Sequence, residues 1–118
     1  METRGELALC DIWFYENRFD NFDKAVSRVI SRAISKNKIR IMDEVSHTFS
    51  PQGLTKIYLI GASHIAFHTY PEENYISIDC YTCDNEGSSR QLMETILKEF
   101  EPEIKDFNEQ YITRGIRK

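Results

Sequence analysis

Three strand-like runs, at residues 54–60, 65–70 and 75–82, follow one another with little chain between them. Only Gly61-Ala62-Ser63-His64 and Pro71-Glu72-Glu73-Asn74 separate them. Parallel neighbours need a crossover of a dozen or more residues, so strands spaced this closely favour antiparallel hairpins. The rest of the chain must pack around that block. Residues 7–15 are apolar and β-prone, and Asp20-Asn21 opens a helical face of Phe22, Val26, Val29, Ile30, Ala33 and Ile34. Residues 38–49 return to strand character, with alternation placing Ile39 and Ile41 on one side of a pleat, before Ser50-Pro51-Gln52-Gly53 turns the chain. Ser88 and Gln91 form a capping box, Leu92, Ile96 and Phe100 continue as the stripe of a second helix, and a last strand falls within residues 104–113. The expected fold is α+β: a mostly antiparallel sheet with two helices on one face, an α/β sandwich. If its other face is apolar, a second copy of the chain is the simplest cover.

A chain of 118 residues suits one domain spanning 1–118, large enough for one apolar core and too small for two. With 41% hydrophobic and 29% charged residues it reads as a soluble globular protein, and no apolar run approaches the ~20 residues of a membrane helix. The first six residues lack a basic region followed by an apolar run, so a cytoplasmic location is expected. A formal charge of −4 argues against a nucleic-acid partner, and Lys36, Lys38 and Arg40 suit a solvated helix end. Cys10, Cys80 and Cys83 are odd in number, which speaks for reduced thiols.

Reactive side chains concentrate in residues 54–83. His64 and His68 are four apart, but in strand-like surroundings nothing brings His47 or another third ligand to a common metal, so no metal is expected. Cys80-Tyr81-Thr82-Cys83 has a spacing of three, which sends its thiols to opposite faces of a strand. Parity sets Tyr75, Ser77, Asp79, Tyr81 and Cys83 on one face, with Ile76, Ile78 and Cys80 toward the core. Gly61-Ala62-Ser63 permits a tight backbone from which a serine hydroxyl could attack a neighbouring carbonyl. There is no Gly-x-Ser-x-Gly elbow, and the sequence identifies no carboxylate to orient a histidine base.

Three motifs in order, residues 47–53 (HTFSPQG), 62–72 (ASHIAFHTYPE) and 79–83 (DCYTC), closely resemble the short prokaryotic S-adenosylmethionine decarboxylase proenzymes. Their joint order and spacing are far more specific than any one of them. The resemblance implies the sandwich fold of that family and self-cleavage between Ala62 and Ser63, giving chains 1–62 and 63–118. The Ser63 oxygen would attack the Ala62 carbonyl to form an ester. His68 would assist removal of the serine α-proton, and elimination and hydrolysis would leave a covalently bound pyruvoyl group derived from Ser63. Such a ketone can condense with a substrate amine and accept the electrons released with carbon dioxide. The resemblance further implies Cys83 as the acid that reprotonates the substrate carbon, Phe49 as an adenine platform, and Glu72 as the ligand of the ribose hydroxyls. It gives Thr55 the place of a processing-assisting serine. It implies a homodimer of two-chain protomers that share active sites, so that Phe49 and Glu72 serve the partner's pyruvoyl group. His64 is read as structural.

Strand parity turns Ser63 and His68 opposite ways, and a bulge or turn near Ser63 is expected to reconcile them. The chain also departs from the family pattern. Ala62 stands where glutamate is usual, Leu7 or Leu9 where a histidine is usual, and Asp84 where a small residue follows the cysteine. Loss of the carboxylate at 62 would slow cleavage or weaken attraction for a sulfonium substrate. The alternatives are a pyruvoyl-dependent arginine or ornithine decarboxylase, and a noncatalytic regulatory paralogue.

Overall fold

Alternation in the chain becomes the pleat of one sheet. The computed structural model describes residues 5–61, 63–83 and 88–115. Its elements are β1 (Gly5–Phe14), α1 (Phe22–Lys36), β2 (Ile41–Thr48), β3 (Leu54–Ile60), β4 (Ser63–Tyr70), a 3-10 turn (Pro71–Glu73), β5 (Tyr75–Thr82), α2 (Ser88–Phe100) and β6 (Ile104–Arg114). The strands lie in the order β2-β3-β4-β5-β1-β6, and every neighbouring pair is antiparallel. The α+β sandwich expected from the sequence is the observed architecture.

Both helices cover one face. Val26, Ile30, Ala33 and Ile34 of α1 and Leu92, Met93, Ile96 and Phe100 of α2 are buried against Ala8, Cys10, Ile12, Tyr58, Phe67 and Ile78 of the strands. Each large apolar side chain sealed there contributes about 1.5–3 kcal/mol relative to exposure. The Asn21 side chain caps α1 by accepting from the Lys24 amide at 3.0 Å. At the start of α2, Arg90 and Ser89 donate to the Glu6 carboxylate of β1, fixing the helix to the sheet.

Residues 38–40 do not belong to β2 as alternation suggested. Lys38 is left-handed at φ 55°, its amide donates to Ser35, and the Ile39 amide donates back to Ile34 at 3.1 Å. This is a Schellman ending of α1, which turns Ile39 onto the core as the usual apolar contact of that motif. The strand starts only at Ile41.

Among the described residues nothing covers the helix-free face, which is in good part apolar. It carries Leu9 and Trp13 of β1, Ile112 of β6, and Val45, Ile57 and Leu59 of β2 and β3, with Val45 64% and Leu59 54% exposed. Trp13, Tyr75 and Tyr70 stack across it with ring centroids 5.0 and 5.2 Å apart.

One polar node crosses from α1 to the sheet edge. Asp23 accepts from the Gly53 amide at 3.0 Å and from the Thr69 hydroxyl, while that hydroxyl accepts from the Leu54 amide at 2.7 Å. The loop between β2 and β3 is thereby tied to the end of β4.

Asp23→Ala removes the acceptor of the buried Gly53 amide and the carboxylate partner of the buried Thr69 hydroxyl, and is expected to lower stability by about 1–3 kcal/mol in urea unfolding. An unchanged midpoint would contradict the node. A pH dependence follows from Cys10. Burial first, then the Glu109 and Asp11 carboxylates, push its thiol from 9.0 up to about 12. The unfolded chain releases this proton near 9 while the folded chain keeps it, so stability is full below pH 9 and falls as pH rises toward 12. The slope is at most about 1.4 kcal/mol per pH unit for this group. Tyr75, raised to about 12 by burial and by Asp11, adds the same sign only above its ordinary value of 10.0. Unfolding midpoints between pH 9 and 10 should therefore flatten in Cys10→Ala; an unaltered slope would reject the assignment.

Candidate active site

The predicted residues gather at two places rather than one. The first is a cleft of about 360 Å³ at the sheet end where the 49–53 loop, the end of β4 and the 3-10 turn meet; Phe49, Thr55, His68 and Glu72 all line it. Thr55 and His68 are cross-strand partners on the helix-free face, and Thr55 Oγ1 lies 3.0 Å from His68 Nδ1. Which of them donates follows the imidazole tautomer. Either way one ring nitrogen is held and the other remains for proton transfer.

Phe49 is placed by its loop. Its amide donates to the Gly53 carbonyl at 2.8 Å, closing a turn that needs φ +110° at position 53, a conformation glycine adopts without strain. The ring is 50% exposed, with His47 edge-on at 4.5 Å, and offers a flat apolar face to the cleft. Opposite it, Glu72 projects from the 3-10 turn that Pro71 starts and left-handed Asn74 ends, and Gln52 Nε2 donates to it at 3.4 Å. A larger hollow of about 600 Å³ lies on the other side of the loop, against Asp20, Lys24 and Ser27. Among the described residues, none of the predicted ones lines it.

The second place is the far end of β4. Ser63 opens the strand opposite Thr82, so Cys83, exposed and one residue on, is its neighbour. Cys80 is fully buried, as parity required. His64 stands beside the serine, with Nδ1 3.4 Å from Ser63 Oγ and Nε2 3.6 Å from Asp79 Oδ2. Ala62 and Asp84 lie outside the described residues. Leu7 and Leu9 are both half-buried on the helix-free face.

Of the bulge or turn expected near Ser63, the turn is present at Gly61, ahead of the strand, and β4 itself contains no bulge. Its pairing runs without a shift from Ser63↔Thr82 to Tyr70↔Tyr75 on one side, and from Thr55↔His68 to Ile60↔Ser63 on the other. Five regular residues at about 3.3 Å each put Ser63 and His68 roughly 16 Å apart within one copy. Sequence reasoning missed Asp79 as a carboxylate facing His64, because the contact is a diagonal one across β4 and β5 and depends on register. It also missed Asp23 and Thr69, which hold the cleft's loop and belong to no local motif.

The family model described as S-adenosylmethionine decarboxylase matches residues 7–115. The S-adenosylmethionine decarboxylase proenzyme of Persephonella marina is 34% identical over 116 residues, covering 97% of this chain and 84% of the relative. That of a Sulfurihydrogenibium species is 31% identical, covering 98% and 85%. The crystal structure of the adenosylmethionine decarboxylase from Aquifex aeolicus superposes with a TM-score of 0.83 at 25% identity, over 100% of this chain and 96% of that one. On the strength of a match across nearly its whole length, this chain belongs to the S-adenosylmethionine decarboxylase family.

Proposed function

We propose that the chain is a self-processing decarboxylase of S-adenosylmethionine, cut between Ala62 and Ser63, whose product is the aminopropyl donor for spermidine synthesis. The observation that carries this reading is the convergence of Phe49, Thr55, His68 and Glu72 on one cleft. An aromatic plate and a carboxylate suit an adenosyl group, and a tethered imidazole suits the proton removal that self-processing needs.

The surroundings of Ser63 suit a pyruvoyl group. The serine is half-buried and is the first residue of β4, so a break before it leaves every pair that β4 makes with β3 and β5 in place. The two chains would stay joined by the sheet. A ketone at position 63 supplies an electron sink for the carbanion formed as carbon dioxide leaves, which no ordinary side chain offers. Around it Cys83 returns a proton to the substrate carbon. Glu72 accepts hydrogen bonds from the ribose hydroxyls, and Phe49 stacks on adenine and excludes water from one of its faces.

The separation within one copy makes a homodimer part of the proposal. Phe49, Thr55, His68 and Glu72 of one protomer would serve Ser63 and Cys83 of the other, and a two-fold axis then creates two equal sites from two ends of the same sheet. The uncovered apolar face offers the surface for that pairing.

Release of carbon dioxide by the purified protein should occur with S-adenosylmethionine and not with arginine or ornithine; the reverse preference would overturn the substrate, and no release from any of them the enzyme. Ser63→Ala and His68→Ala are each expected to be inactive alone. Co-expressed, they should recover up to about a quarter of wild-type activity, because random pairing gives one intact site in half of the dimers. No recovery in demonstrated mixed dimers would mean that the sites are not shared.

A further inference from the structure

We propose that His64, held by Asp79, is the base that starts self-cleavage by taking the Ser63 hydroxyl proton. The assignment rests on Ser63 being the processed serine, and goes beyond it by giving the acyl shift its own base within the same copy. Three observations support it. His64 Nδ1 is 3.4 Å from Ser63 Oγ, while His68 of that copy lies at the other end of β4. Asp79 Oδ2 is 3.6 Å from Nε2, on the side of the ring away from the serine. Tyr81 lies beside the imidazole on the same face, with ring centroids 6.3 Å apart and planes 34° off parallel.

The chemistry follows from these positions. A carboxylate facing Nε2 favours the tautomer with its proton there, so Nδ1 presents its lone pair to the serine hydroxyl. A nucleophile, a base and an orienting group are thus aligned, at distances loose enough to need tightening in the reacting state. In the step itself, Ser63 Oγ gives its proton to His64 Nδ1 and forms a bond to the carbonyl carbon of residue 62. The bond from that carbon to the Ser63 nitrogen breaks, and His64 returns the proton to the departing amine. The result is an ester and a free amino group, isomeric with the starting peptide; nothing is oxidised or reduced. His68, from a second copy, keeps the separate task of removing the α-proton in the later elimination. His64 is then catalytic and Asp79 a positioning residue.

The two histidines predict different arrested species. Freshly made protein is sampled over time, treated with neutral hydroxylamine, which cleaves esters and spares amides, and weighed. His64→Ala should slow cleavage by about 100-fold or more and persist as a hydroxylamine-resistant single chain. His68→Ala should accumulate a hydroxylamine-sensitive one. Added imidazole should accelerate His64→Ala, a response that loss of structure alone does not give. The His64 side chain is 41% exposed, and His64→Gln with a thermal melt guards against misfolding. Asp79→Asn should slow cleavage at least about tenfold, Asp79→Glu should restore most of it, and Asp79→Asn should cost nothing further in a His64→Ala background. Wild-type rates in His64→Ala and His64→Gln, or an ester accumulating in either, would overturn the role of His64. A wild-type chain that is never cut would overturn the reading of Ser63 instead, and this role with it.

Discussion

The unbroken antiparallel register of β4 is the constraint from which the rest of the account follows. Because it pairs residue by residue with β3 and β5, Ser63 and Cys83 stand at one end of the sheet, while Thr55 and His68 stand at the other. A single bulge would shift the parity of one set against the other; there is none. The strand therefore acts as a ruler, and the ruler is too long for the two sets to meet within one copy.

The same sheet is finished on one face only. Beneath the helices, Phe67, Ile65 and Tyr58 are sealed by α1 and α2, with the Lys36–Glu99 and Arg32–Glu99 ion pairs joining the helices at the rim. Exposed pairs of that kind add little to stability, and the buried apolar area dominates. The other face keeps Val45, Ile57 and Leu59 in water at a cost that a second sheet would remove. A face sealed by helices and a face open to solvent are the two features that the proposed shared-site dimer requires. Cutting the chain before Ser63 fits this division, because the cut falls at the edge of the ladder, outside the pairs that hold the sheet.

What could be read from the residues was governed by local periodicity. The 3.6-residue spacing of Val26, Ile30 and Ala33 and of Leu92, Ile96 and Phe100 placed both helices, and period-two alternation placed Cys80 inward and Cys83 outward. Ile39 misled because an apolar residue after a helix serves a Schellman turn as well as a strand, and only the left-handed Lys38 distinguishes them. The family resemblance named Phe49, Thr55, His68 and Glu72, and the fold brings those residues to one cleft. Asp23 and Asp79 were illegible for a different reason. Each acts on a residue distant in the chain, Thr69 for one and His64 for the other, through contacts that exist only once helix docking and strand register are set.

The most direct test of the central claim is the intact mass of the purified wild-type protein under denaturing conditions. The account predicts two fragments, 1–62 and 63–118, the second carrying a ketone in place of the serine amine and captured by a carbonyl-trapping reagent. A single uncut mass that retains Ser63 and resists trapping would contradict it.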